Sequence, residues 1–183
     1  MKKLSVSLKE SRFVDLINKK FTGEIRKEDI IGNLQRLKPV DIGTSVLWAD
    51  DGLCVDDKYF FTFDEVTNML KDSEWRLPTV SEVKELENCE KDFRDDKYIF
   101  TNNGKSLTFY PNGYIYVLPT TKKTSQKSDI VMGWTGDVSK YNNNYICTYI
   151  INRFSITGRN ISFGTTNVKS KSFLLSVRLV KDR

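Results

Sequence analysis

Histidine is absent from this chain of 183 residues. That absence removes the His-dependent triads, the His zinc sites and the commonest general base together, and most hydrolase chemistry goes with them. Cysteine is scarce: Cys54, Cys89 and Cys147 include no pair at the short spacing of a zinc knuckle or redox motif, so no disulfide framework is expected. No apolar run approaches bilayer-spanning length, and no membrane span is expected. Met1-Lys2-Lys3 opens in the manner of a signal peptide, but Ser5 and Ser7 interrupt the apolar stretch and Lys9-Glu10 end it, so the expectation is no signal peptide. Neither sign of charge dominates. The 29 Lys+Arg face 24 Asp+Glu for a net +5, which reads as a solvated surface of mixed charge, and no nucleic acid partner is expected.

What is present is 39 % hydrophobic residues, enough to bury the core of one domain with an appendage or of one slightly large domain. Residues 1–38 are rich in Lys and Glu and carry two short helical patterns. Ser7 with Glu10 makes a capping box ahead of Leu8, Phe13, Val14, Ile17 and Phe21. Lys27 to Leu37 then places Ile30, Ile31, Leu34 and Leu37 at helical spacing, and Pro39 stops it. This segment reads as an N-terminal arm that either packs back on the domain or docks on a partner, ahead of a domain at 39–183.

From Val40 the pattern changes. Val46 to Ala49 and Tyr59 to Phe61 read as short strands around an Asp50-Asp51-Gly52 turn. Thr62 with Glu65, and Thr79 with Glu82, are capping boxes that predict two short helices; Pro78 pushes Leu77 out of helical space just before the second. Strands at 98–101, 106–110 and 114–118 joined by Asn103-Gly104 and Asn112-Gly113 read as a meander. Thr120 to Asp129 reads as a polar mobile loop, and Tyr145 to Ile151 and Phe173 to Val180 as late strands separated by turns at Gly158 and Gly164. Helices early and strands late predict an α+β domain.

Five pieces in order carry a resemblance: Asp41 to Ala49, Trp75-Arg76-Leu77-Pro78-Thr79 with Glu82 and Leu86, the Gly104 to Gly113 segment with Leu107-Thr108-Phe109, Gly133-Trp134-Thr135, and Ser176 to Val180. Over roughly residues 40–183 the chain resembles the Fibrobacter succinogenes major paralogous domain, a branch of the C-type-lectin-like fold found in gut Bacteroidetes and in phages infecting them. The resemblance implies two helices flanking small antiparallel sheets, with a long irregular loop region displayed at one end. It also implies that Trp48, Trp75, Leu77 and Pro78 are scaffold. Thr79 and Glu82 form the helix start, and Arg178, amid apolar neighbours, reads as structural, either alternating outward or pairing with a carboxylate.

Chemistry is thin. Gly104-Lys105-Ser106 lacks the upstream glycine of a phosphate loop, where Ile99 stands instead. Asp50-Asp51, Asp56-Asp57 and Asp95-Asp96 offer hard-cation ligands but sit in polar turns, so no metal and no cofactor is expected. The Glu-Pro-Asn and Trp-Asn-Asp signatures of calcium-dependent lectins are missing, and Cys147 stands alone without the cysteine pair of formylglycine-generating enzymes. No catalytic residue is expected. What remains is a binding surface: Trp134, Asp137, Lys140, Tyr141, Asn142, Asn143 and Asn144 place aromatics and amides on an expected loop, the types that stack on sugar rings and hydrogen-bond hydroxyls.

The expectation is a non-enzymatic display module, a bacteriophage virion component such as a head fibre, capsid decoration or tail-associated protein. It would be made in the bacterial cytoplasm, held to other virion proteins through residues 1–38, and turned toward a host-surface glycan or protein. The alternative is a bacterial surface or periplasmic carbohydrate- or protein-binding protein. An oligomer is compatible with either.

Overall fold

The structure, a computed structural model, describes residues 27–117, 123–126, 129–153 and 161–183. The first N-terminal helical pattern, the Gly158 turn and parts of the polar loop at 120–129 lie outside these residues. Among the described residues the chain is mixed α+β, with three α-helices and four three-stranded antiparallel sheets.

Helix α1 (Lys27–Arg36) follows the predicted second helical stretch, with Glu28 and Asp29 in its first turn complementing the helix dipole. It does not stand apart. Leu34 is 9 % exposed and joins the larger apolar cluster, with Ile30 and Leu37 packed against it, so this part of the predicted arm packs back onto the domain. Pro39 then opens strand β1 (Pro39–Val40), which pairs with β2 (Leu47–Ala49). In β2, Trp48 is fully buried and its indole N–H donates to Thr44 Oγ1 at 3.0 Å, the partner a buried indole requires.

Both capping boxes form. Thr62 Oγ1 accepts from Glu65 N and Glu65 reaches back to Thr62 N, starting α2 (Phe63–Met69). Thr79 and Glu82 do the same for α3 (Val80–Glu85), which tightens into a 3₁₀ turn over Leu86–Asn88. Glu82 also takes a bidentate pair from Arg76 Nη1 and Nη2 at 2.9 and 2.7 Å, while Arg76 holds Asp182 at 2.7 Å. Burial alone would raise the Glu82 carboxyl; Arg76 and the Thr79 N–H outweigh it and hold it below its ordinary value of 4.5. A depressed carboxylate stabilises the fold above its unfolded pKa and loses that stabilisation as pH falls through the folded one. Glu82→Gln is therefore expected to cost about 2 kcal/mol at neutral pH. It should also shrink the difference between neutral and acidic unfolding midpoints below pH 4.5. An unchanged acid limb, measured by denaturant unfolding from pH 7 to pH 3, would show that Glu82 is not the linked group.

The second sheet is the hairpin pair β3 (Glu90–Arg94), β4 (Lys97–Asn102) and β5 (Lys105–Phe109). Its turns use Asp95-Asp96 at φ 50° and 57° and Asn103-Gly104 at φ 50° and 73°, the left-handed pair that a two-residue hairpin demands. Asp56-Asp57 turn similarly between the bridged Val55 and Lys58, and no described group of three or more acidic or cysteine side chains is arranged to hold a metal.

Three expectations are corrected. The meander breaks at Asn112-Gly113, because β6 (Tyr114–Val117) pairs with β7 (Lys123–Gln126) and β11 (Phe173–Leu174) and not with β5. A two-residue hairpin there would need an N–H from residue 111, and Pro111 has none. Part of the expected polar loop is thus strand β7. Gly164 is no turn: it lies inside β10 (Ile161–Lys169), opposite Ile150 of β9 (Tyr145–Arg153).

The last segment is not one strand either. Phe173–Leu174 pair with β6, Leu175 bridges Phe61, Ser176 bridges Gly133, and β12 (Val180–Lys181) pairs with β2. Tyr59 to Phe61 accordingly makes a single bridge in place of a strand. Within this segment Arg178 is 3 % exposed and makes no ion pair among the described residues; Nη1 donates to Ala49 O at 3.0 Å, Nη2 donates to Thr108 O, and the guanidinium lies 4.5 Å from the Phe109 ring centre.

Candidate functional site

The surface expected to bind is built on the hairpin of β8 (Val131–Val138) and β9, which with β10 forms the fourth sheet. Its base is core. Trp134 is fully buried, its indole N–H donates to Phe61 O at 2.7 Å, and Phe63 meets it edge-on at 5.6 Å. The expectation that Trp134 lies on a ligand-facing loop is therefore corrected. The run Val131-Met132-Gly133-Trp134 is buried on both faces although β8 lies at the edge of its sheet, because isolated bridges from Gly113 to Val131 and from Ser176 to Gly133 cover its outer side.

Beyond Trp134 the register slips: Trp134 pairs with Thr148, but Val138 pairs with Ile146, so Thr135, Gly136 and Asp137 bulge. The bulge grips the turn before α3. Gly136 N donates to Pro78 O at 2.9 Å, and Val80 N donates to Asp137 Oδ2 at 2.6 Å. Asp137 thus satisfies one of the N–H groups that a helix start leaves without an intrahelical partner, and it positions α3 instead of facing a ligand. Trp75, Leu77 and Pro78 are buried beside this clamp.

The tip keeps the exposed part of the expected surface. Lys140, Tyr141, Asn142, Asn143 and Asn144 are all exposed, and Tyr141 reaches 94 %. The turn is nevertheless ordered by its own bonds. Ser139 N donates to Tyr145 O at 2.8 Å, Tyr145 N to Asn142 O at 2.9 Å, and Asn144 N to Asn142 Oδ1 at 2.9 Å. Asn142 is thereby spent on the turn, which leaves Lys140, Tyr141, Asn143 and Asn144 as the other exposed side chains. Ser170 N donates to Asn144 O at 3.3 Å, tying the tip to the end of β10.

Beside this tip lies a groove of about 790 Å³ between β6 and β11 on one side and β9 and β10 on the other, with Met132 and Val168 at its buried floor. Tyr116 and Phe173 stand with ring centres 5.0 Å apart, and Tyr145 and Lys169 face each other across the β9–β10 pair with the ammonium 6.0 Å from the ring centre. The sequence reading passed over Tyr116, Phe173, Asn167 and Lys169. The available signal was Tyr114 and Tyr116 at a spacing of two, which puts both on one face of β6, opposite the buried Ile115.

Shifted groups elsewhere serve structure. Asp41 is lowered by its bond from Arg183, and Glu65, which burial would raise, is lowered by Lys58 and the Thr62 N–H. Burial pushes the Cys89 and Cys147 thiols up, Asp137 adding to the effect at Cys147, whose thiol donates to Asn167 Oδ1 at 3.1 Å. Comparison of the chain with family models, curated proteins and solved structures returns no match.

Proposed function

We propose that this chain is a non-enzymatic attachment module of the C-type-lectin-like kind, similar to the Fibrobacter succinogenes major paralogous domain, carried on a bacteriophage particle and turned toward the host surface. One observation carries the reading: the β8–β9 hairpin roots Trp134 and Tyr149 in the core and projects an ordered turn whose Tyr141 is 94 % exposed. A large aromatic held out on a rigid support contributes contact area at low entropic cost, which is how recognition loops use tyrosine. The α+β arrangement with two capping-box helices supports the fold assignment, and the order of the Trp75-to-Glu82 and Ser176-to-Val180 segments supports the family.

The non-enzymatic part of the proposal rests on chemistry. Without histidine, two of the remaining routes to catalysis are a carboxyl shifted up to act as an acid and a thiol shifted down to act as a nucleophile. Asp41, Glu65 and Glu82 are shifted down and Cys89 and Cys147 up, the opposite sense in each case.

Tyr141→Ala tests the attachment surface. Adsorption of the labelled chain to host cells is expected to fall at least about tenfold, as for an aromatic contact residue. The unfolding midpoint should stay within about 2 °C of wild type, as for an exposed position. Full adsorption by the variant would remove the tip from the binding surface.

A further inference from the structure

We propose that the groove beside the hairpin tip binds an acidic saccharide, with a sugar ring against Tyr145 and its carboxylate on Lys169. This names a ligand class and rests on the reading of the chain as an attachment module.

The lining has the two properties a saccharide requires. Sugar rings present apolar C–H faces and a rim of hydroxyls, so they are held by flat side chains flanked by short polar ones. Tyr116, Tyr145 and Phe173 supply the faces, and Asn167, Ser172 and the Tyr145 hydroxyl supply the polar atoms. Asn167 is fixed at one end, because its Oδ1 accepts from the Cys147 thiol at 3.1 Å. Its amide N–H groups have no partner among the described residues and are available to a ligand oxygen. A volume of about 790 Å³ lies within the range of clefts that enclose small ligands, and the opening continues onto the tip through Tyr145.

Charge selects the acidic class. Among the described residues no Asp or Glu lines the groove, and Lys169, which is exposed, makes no ion pair with any of them. A cation beside a stacking ring, with no neighbouring carboxylate to neutralise it, complements an anionic group on a ring stacked there. A neutral sugar would leave that charge unused. A cationic ligand would meet repulsion.

The test uses the full chain on an array of uronate- and sialate-bearing oligosaccharides beside the same oligosaccharides with the carboxyl esterified, followed by titration calorimetry on the strongest binder. Wild type is expected to retain carboxylate-bearing members over their esters, with affinity falling as salt rises. Lys169→Gln should lower that affinity about tenfold and remove most of the salt dependence, and Tyr145→Ala should lower it at least about tenfold. Lys169 is exposed, so its variant remains decisive if Tyr145→Ala proves unstable.

Retention of no carboxylate-bearing member, equal retention of esters, or indifference to Lys169→Gln each overturns the proposal. Tyr141→Ala separates it from the broader reading: lost cell adsorption with no saccharide binding leaves the attachment function standing and points to a protein receptor. Saccharide binding with unimpaired adsorption of Tyr141→Ala leaves the groove standing and removes the tip.

Discussion

Arg178→Ala will destabilise the protein by about 3–5 kcal/mol, combining a core cavity with carbonyls stripped of their donors. For a chain of this size that lowers the unfolding midpoint by roughly 6–20 °C. The guanidinium is 3 % exposed and desolvation holds its pKa below the usual value, so the site bears a cost that its fixed geometry offsets. Nη1 reaches Ala49 O beside Trp48, Nη2 reaches Thr108 O in β5, and the plane rests on Phe109. One side chain therefore joins two sheets and the C-terminal segment. Arg178→Lys keeps the charge but not the planar fork, and it should recover less than half of the lost stability. A midpoint for Arg178→Ala within about 2 °C of wild type would mean that the joint is redundant.

Gly133→Ala is expected to cost about 3 kcal/mol, toward the upper end of overpacking penalties. Gly133 pairs directly with Tyr149 across the β8–β9 ladder, and a Cβ on it would sit 2.3 Å from Tyr149 Cζ and Oη. The tyrosine ring covers the glycine, a known way to bury a strand position that has no side chain. Tyr149 cannot swing aside: it is 1 % exposed, and Phe109 meets it edge-on with ring centres 6.4 Å apart. The same burial raises its phenol to about 12. Tyr149→Val removes the clashing atoms while opening a cavity, so the double variant should be more stable than the sum of the single losses implies. Additive losses in a double-mutant cycle would show that the methyl is accommodated elsewhere.

The parts of this fold that are legible in the sequence are local. The Thr62/Glu65 and Thr79/Glu82 boxes act over three residues, and Asn103-Gly104 needs only its own backbone preference, so each forms where its residues predict it. Pairings between distant segments are less legible. The run from Phe173 to Val180 has the composition of one strand, yet its partners are Tyr116, Phe61, Gly133 and Trp48, and no local pattern states that division.

The candidate surface divides in the same way. Exposure of Lys140 to Asn144 follows from a polar run between two strands, whereas the roles of Trp134 and Asp137 depend on Phe61 and Val80, residues 73 and 57 positions away. Asp137 reads as a ligand residue in sequence because its neighbours are polar. It is a helix cap because a bulge turns it toward α3.

The division of labour among the sheets also sets an order for synthesis. The β3–β4–β5 and β8–β9–β10 sheets each join consecutive strands and can close as they leave the ribosome. The other two wait for β11 or β12, so the backbones of Trp48 and Phe61 emerge early and stay without their partners Val180 and Leu175 until the end of the chain arrives. Nascent chains in that interval present unpaired strand edges to one another and to chaperones, a condition under which aggregation competes with folding. A premature stop before Val180 would therefore release a product with its first sheet open, a target for proteolysis.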